Sequence, residues 1–445
     1  MAKLRVDRDA VSSWLTESAI VLRTLEPEGG SEDLTPFATV LAGVQVVGLG
    51  EATHGSKEFF TLKHRLIRFL VRELGFTVVA FEAGRSACRA VDDYIASGEG
   101  TASAALTGLG YWTWDTYEVL ALIEWLREYN ASVPADRRVR FHGIDSGIDP
   151  VAVQLVAKYL DTVAPQRTGP FRAAIRTLTT SGTSTSIGGL VRESVAGAVR
   201  RVFRRKAVAG SESAHTASRV LRDTVEFLRA DRAELVAASS VRDWSEVVES
   251  ATELANAADI AAYPLLSAKG CAVRDRYLAD AVRELTGDGE RVVVWAHNGH
   301  VARSTVSRGV ASMGAHLSDV YGSAYYALGL TFNQGSFQAS RAEVAGNTGL
   351  AEFTVEPAVP RSAEALLARP GIGDYLIDFR AARSSEPVMA WLTTPAPTRS
   401  YGAIVGFWPM MKKVTGSVTL AEEYDGLAFV ERTTRARSCE PGIDR

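Results

Sequence analysis

His54 stands in the run Gly50-Glu51-Ala52-Thr53-His54-Gly55, close behind one carboxylate and followed by a glycine. An imidazole titrates near neutral pH, so His54 suits proton abstraction from water or from a hydroxyl. A neighbouring carboxylate would fix its tautomer and stabilise the imidazolium. Glu51 is close in sequence, and Glu82 is a candidate from the next strand. Gly48, Gly50 and Gly55 would allow a tight turn and close backbone approach by a ligand. In isolation the run also fits a capping Glu and a satisfied surface His.

A second group of polar residues is His297-Asn298-Gly299-His300. His297 would serve as a second acid or base, or as a donor to a developing oxyanion. His300 would orient it or contact substrate. Arg85 suits an anionic or carbonyl group, or an ion pair. Arg274, in Arg274-Asp275-Arg276 at the expected start of a helix, is placed to reach the same region, as is Asp145. Trp112 and Trp114 would wall an apolar pocket or pack in the core. Glu51, His54, Glu82 and His297 include metal-ligand types. However, no HExxH occurs and no close His/Asp spacing dictates coordination, so neither a metal nor another cofactor is expected. Gly84-Arg85-Ser86-Ala87-Cys88 is the nearest approach to a GxSxG elbow. It lacks the second glycine, which argues against Ser86 as a nucleophile.

The elements needed to position these residues can be read from short Val- and Ile-rich runs. Val44–Val47, Thr77–Phe81, Val139–Phe141, Arg291–Ala296, Ala324–Thr331 and Tyr375–Phe379 read as buried, parallel strands. Phe59–Leu74 and Tyr117–Tyr129 carry apolar residues near a 3.6 period, and Gly75 follows the first as a stop. This alternation predicts an α/β fold with a mostly parallel central sheet flanked by helices. Four of the strands end in polar residues: Glu51 and His54; Glu82 and Arg85; Asp145; His297 and His300. In open α/β sheets ligands bind beyond the carboxyl ends of the strands. Parallel neighbours would therefore bring these groups to one cleft.

Residues 151–286 break the rhythm. Val151–Leu160, Ala217–Leu235 and Ser245–Ala262 read as helices around a Thr/Ser/Gly-rich stretch, Thr177–Gly189. The expected organisation is a core of residues 1–150 and 287–437, an inserted helical subdomain at 151–286 capping the cleft, and a frayed tail at 438–445. The chain has 445 residues, 46% of them hydrophobic and 23% charged, with net charge −3, which shows no global footprint for nucleic acid. The basic run Arg200–Lys206 reads as a solvated helix face. Three widely spaced cysteines suggest neither a disulfide framework nor a CxxC site. With no apolar leader and no run of about 18 apolar residues, no membrane association is expected and the cytoplasm is the default location. The expected partner is a small molecule.

GEATHGSKEF, VVAFEAGR, GID, RDRYLADAV, VVVWAHNGHV, MGAHL and YYALGLTF occur in order across residues 45–335. Together with the segment Gly426–Thr434, they resemble the erythromycin esterase family. The resemblance implies an α/β core with a helical subdomain over a deep cleft. It implies metal-independent hydrolysis in which the His of GExxH, here His54, activates water. Glu51 and Glu82 would be the accompanying carboxylates, His297 and His300 the HNxH histidines, and Arg274 the Arg of the RD motif. The implied activity is opening of a macrolide lactone, as in antibiotic resistance.

The family is broad, so three readings stand. The first is hydrolysis of an ester or lactone, of a macrolide or another polyketide, with His297 and Arg85 stabilising developing charge. The second is a lyase or cyclase of natural-product biosynthesis using the same base. The third is a non-catalytic ligand- or metal-binding protein.

Overall fold

The computed structural model describes residues 6–180, 212–264, 267–287, 289–306, 309–342, 349–406 and 416–439. Arg200–Lys206 and most of Thr177–Gly189 lie outside the described residues.

Among the described residues, ten strands form the main sheet. They are β1 (Ile20–Val21), β2 (Val46–Leu49), β3 (Val78–Gly84), β4 (Arg140–Asp145), β5 (Val292–Trp295), β6 (Tyr325–Ala342), β7 (Leu350–Val355), β8 (Tyr375–Asp378), β9 (Ile404–Gly406) and β10 (Gly426–Thr433). Their order is β1-β8-β10-β6-β2-β5-β3-β4, with β7 and β9 paired to β6. The run from β10 to β4 is parallel throughout. The fold is α/β with a mostly parallel central sheet. Side chains alternate between faces along each strand. Val47, Leu49, Val79, Phe81, Val293 and Trp295 therefore join one core. Val46, Val78, Ala80, Val292 and Val294 join the other. Both faces are covered, which is why these strands are apolar throughout rather than alternating.

The helices that matter here are α1 (Lys57–Leu74), α2 (Arg85–Ser97), α3 (Tyr117–Ser132), α4 (Pro150–Val163), α5 (Pro165–Thr180), α6 (Glu212–Ala230), α7 (Val241–Ala261), α8 (Ala268–Leu285) and the single turn α9 (Asn298–Val301). α1 lays Phe59, Leu62, Leu66, Phe69 and Leu70 on the first core. It ends at Gly75, whose φ of 68° is left-handed and whose N–H donates to Leu70 O.

α4 to α7 share a separate apolar cluster that includes Val156, Leu160, Ile175, Leu221, Val225 and Leu254. α8 was expected to belong with them. Instead Leu278, Ala279 and Val282 pack on the sheet with Val78, Val292 and Val294. Three further expectations need correction. β6 continues to Ala342, well past Thr331, because β7 and β9 extend its pairing. β8 forms at the expected place but runs antiparallel to β1 and β10. Ser438 and Cys439 are not frayed: Ser438 bridges Thr116, and Cys439 N–H donates to Asp115 O at 3.0 Å. Among the described residues, no helix is long and apolar enough to cross a membrane.

Candidate active site

β2 delivers Glu51 and His54 just past its carboxyl end. Asn298 fixes the turn: its N–H donates to Glu51 O at 2.9 Å, while its side chain brackets Leu330 on β6. The glycines serve this packing. A β-carbon on Gly55 would lie 1.9 Å from Gln338 O, and one on Gly50 would lie 2.1 Å from Asn298 Oδ1. Close approach is thus required, but by the protein's own chain.

His54 Nδ1 lies 2.7 Å from Glu51 Oε1. The other carboxylate oxygen, Oε2, accepts from Lys63 Nζ at 2.6 Å and from Trp295 Nε1 at 3.1 Å. Glu51 and Lys63 are both fully buried. With a carboxylate at Nδ1, the neutral ring carries its proton there and leaves Nε2 as the basic nitrogen. Burial draws the Lys63 ammonium down to about 8, against the opposing pull of Glu51. Trp114 meets the His54 ring edge-on at a centroid distance of 5.7 Å.

A second network joins the ends of β3, β4 and β5 to α8. Arg274 donates to both oxygens of Asp145, at 3.1 and 2.8 Å, and to Glu82 Oε1 at 2.8 Å. Glu82 Oε2 accepts from the His297 N–H at 2.9 Å. His300 Nδ1 lies 2.7 Å from Asp275 Oδ1, and its Nε2 lies 3.3 Å from Glu82 Oε1. Burial disfavours charge on His300, but Asp275 and Glu82 outweigh it and lift the ring to about 10. Burial likewise disfavours the Glu82 carboxylate, yet His300, Arg274 and His54 hold it well below the usual range. The group is a buried set of charges in which Glu82, Asp145 and Asp275 face Arg274 and His300, while Arg274 Nη1 also lies 2.9 Å from His300 Nε2 and opposes charge on that ring. His54, Glu82, Asp145 and Arg274 border one cavity with Tyr111, Trp112 and Trp114.

Not every expected residue reaches the cavity with a free group. His297 Nδ1 accepts from Gly299 N–H at 3.1 Å, which makes Nε2 the donor to Tyr401 O at 3.2 Å. Both ring nitrogens are occupied. Burial is the main reason its pKa falls to about 3. His297 is therefore a neutral helix N-cap whose ring lies tilted beside His54, at 5.0 Å between centroids, rather than an available acid, base or oxyanion donor. Arg85 pairs with Glu284 of α8 at 2.8 Å instead of facing the cavity. Arg274 sits well inside α8, not at its start. Ser86 Oγ and N–H both donate to Glu253 of α7. Trp114 is 1% exposed and packs among Phe60, Phe81 and Trp295, so most of its ring is core.

Sequence reasoning missed Lys63, Asp275, Tyr401 and Glu253. Lys63 left a signal: it falls between Phe59 and Ile67 at helical spacing, a charge inside an apolar stripe. Asp275 was visible beside Arg274, but its pairing with His300 was not. Tyr401 reaches His297 through its backbone oxygen, which no residue type announces. Among the described residues, no group of three or more His, Cys, Asp or Glu side chains is arranged to hold a metal ion.

The erythromycin esterase family model matches residues 71–433, most of the chain and most of this network. The chain belongs to the erythromycin esterase family. It is 34% identical over 132 residues to erythromycin esterase type II of Escherichia coli, a match covering 30% of each chain. It is 22% identical over 418 residues to the Bacillus subtilis (strain 168) protein named Putative hydrolase YbfO, covering 91% of this chain and 87% of that one. A solved structure of a mutant of the erythromycin esterase EreC, in its open conformation, matches with TM-score 0.67 and 15% identity. That match covers 94% of this chain and 98% of the other. The esterase-family fold thus extends over nearly the whole chain.

Proposed function

We propose that this protein hydrolyses an ester or lactone, with His54 as the general base that activates water. The observation that carries the reading is the Lys63–Glu51–His54 relay, which commits Nδ1 and leaves Nε2 basic at the cavity. Nε2 takes a proton as the water oxygen bonds to the acyl carbon. Glu51 stabilises the imidazolium. Arg274 borders the same cavity; its Nε and Nη2 are taken by Asp145 and Glu82, so the donor it offers the oxyanion is the Nη1 hydrogen not directed at His300. Collapse breaks the acyl C–O bond, and the imidazolium returns its proton to the leaving alkoxide.

Macrolide lactones are the substrate class to test first, since relatives in the family carry that activity in their names. Tyr111 and Trp112 are the aromatic wall that an apolar ring would meet at the mouth of this small cavity of about 30 Å³. In labelled water the product should gain one solvent oxygen, seen by mass spectrometry. His54→Asn should lower kcat about 10²–10⁴-fold. Loss of mass, or unchanged mass without label, would instead indicate elimination or cyclisation. Full turnover by His54→Asn would overturn the base assignment.

A further inference from the structure

The β3–α2 turn connects the buried carboxylate Glu82, which borders the cavity, to the helical layer built from α4 to α7. Glu253 of α7 inserts its carboxylate there. Oε2 accepts from Ser86 N–H at 2.9 Å and from Ser86 Oγ at 2.5 Å, at the start of a 13-residue helix. Oε1 is buried and has no hydrogen-bond partner. The approach depends on Gly84. A β-carbon there would stand 3.2 Å from Glu253 Oε1 and 3.8 Å from the Tyr111 hydroxyl, and Tyr111 borders the catalytic cavity. Arg89 extends the contact along α2, reaching Glu246 O at 3.1 Å and Ser250 Oγ at 3.3 Å on α7. Gly84 also pairs with Asp145 across β3 and β4. The turn therefore touches the carboxylates on either side of Arg274.

We propose that Glu253 is a positioning residue, through which the helical layer clamps the β3–α2 turn and holds the Glu82–Arg274–Asp145 network in register. This deepens the hydrolase reading and, for its kinetic part, rests on it.

The clamp is proton-linked. Burial is the main cause that lifts Glu253 to about 7; Ser86 favours the charged form, Asp149 opposes it and Arg85 supports it. Cys88 on α2 also faces the carboxylate, and its thiol is raised by burial and by Glu253. Released from the interface, Glu253 would return towards the ordinary value of about 4.3. The clamped state thus binds the proton more tightly. Clamping is strongest below about pH 4.3, weakens as pH rises towards 7 and is constant above that.

Hydrogen–deuterium exchange of residues 85–97 and 241–261, corrected for intrinsic rates, tests the clamp without any substrate. In the wild type, protection should fall severalfold between pH 5 and pH 8. In Glu253→Gln, which keeps the shape and cannot ionise, it should stay flat. Equal pH dependence in the two proteins would overturn the proposal. In turnover, Glu253→Ala should lose about tenfold in kcat, with recovery in Glu253→Gln at pH 6. Wild-type kcat in Glu253→Ala would also overturn it. Because exchange requires no turnover, failure of the hydrolase reading and failure of the clamp are separately visible.

Discussion

Lys63 places an ammonium with no exposed surface beside a carboxylate with none, and together they set the direction of the His54 ring. Removing one partner of such a pair leaves an uncompensated buried charge, which typically costs about 3–5 kcal/mol. Lys63→Met should therefore lower the unfolding midpoint markedly, as read by calorimetry. Lys63→Arg should recover part of that loss, limited by the crowding of Trp295, whose ring centroid lies 4.7 Å from Nζ. A kinetic arm separates positioning from folding. Glu51→Gln alone leaves the Lys63 ammonium uncompensated, so it is compared with Glu51→Gln/Lys63→Met, which removes both charges. If Glu51 and Lys63 set the His54 tautomer, the double variant should recover stability yet still lose kcat with little change in KM. A double variant with wild-type kcat would show that the relay does not act in turnover.

At the level of elements, the sheet shows why part of the site was legible. Val292–Trp295 and Val78–Phe81 advertised themselves because strands buried on both faces must be apolar throughout. Polar residues placed at or just beyond the ends of such runs then had to emerge at one edge, and Glu51, Glu82, Asp145 and His300 did so, met there by Arg274 from α8. Side-chain direction was not legible. Nothing local tells Arg85 to pair with Glu284, or turns the two nitrogens of His297 towards Gly299 and Tyr401, since those partners lie on distant elements or are backbone atoms. The antiparallel direction of β8 was hidden for a related reason: an apolar run carries no arrow. Gly55 illustrates the same limit, because its need for a hydrogen side chain comes from Gln338 on β6. Gly55→Ala should force the β2 turn from β6 and destabilise by about 1–3 kcal/mol or more. Gly349→Ala, where a β-carbon meets nothing within 4 Å, should be close to neutral in the same thermal-melt comparison.

For the whole molecule, buried histidines set the acid limb of stability. Burial is the leading cause that lowers His64 to about 3, His142 to about 4 and His297 to about 3. In the unfolded chain each would titrate near about 6.5, so between these values the unfolded state binds more protons. Their contribution is present above about pH 6.5 and is lost as pH falls towards the folded values. His300 has the opposite sign. Raised to about 10 by Asp275 and Glu82 against burial, its contribution is full below about pH 6.5 and is lost as pH rises towards 10. From these four histidines the midpoint would be highest at about pH 6.5–7. Glu253, raised to about 7, opposes the acid limb between about pH 4.3 and 7, and Lys63, lowered to about 8, opposes the alkaline one above about pH 8. His64 identifies the acid limb best, because neither of its ring nitrogens has a hydrogen-bond partner and it packs on Trp125. Replacing an unpartnered buried polar group with an apolar one sacrifices no hydrogen bond. His64→Leu should therefore match or exceed the wild-type midpoint at pH 7, and its midpoint should fall less between pH 6.5 and pH 4.5. An unchanged acid slope in His64→Leu would move the origin of acid sensitivity to Glu82 and its partners, whose depressed carboxylate also loses its contribution on acidification.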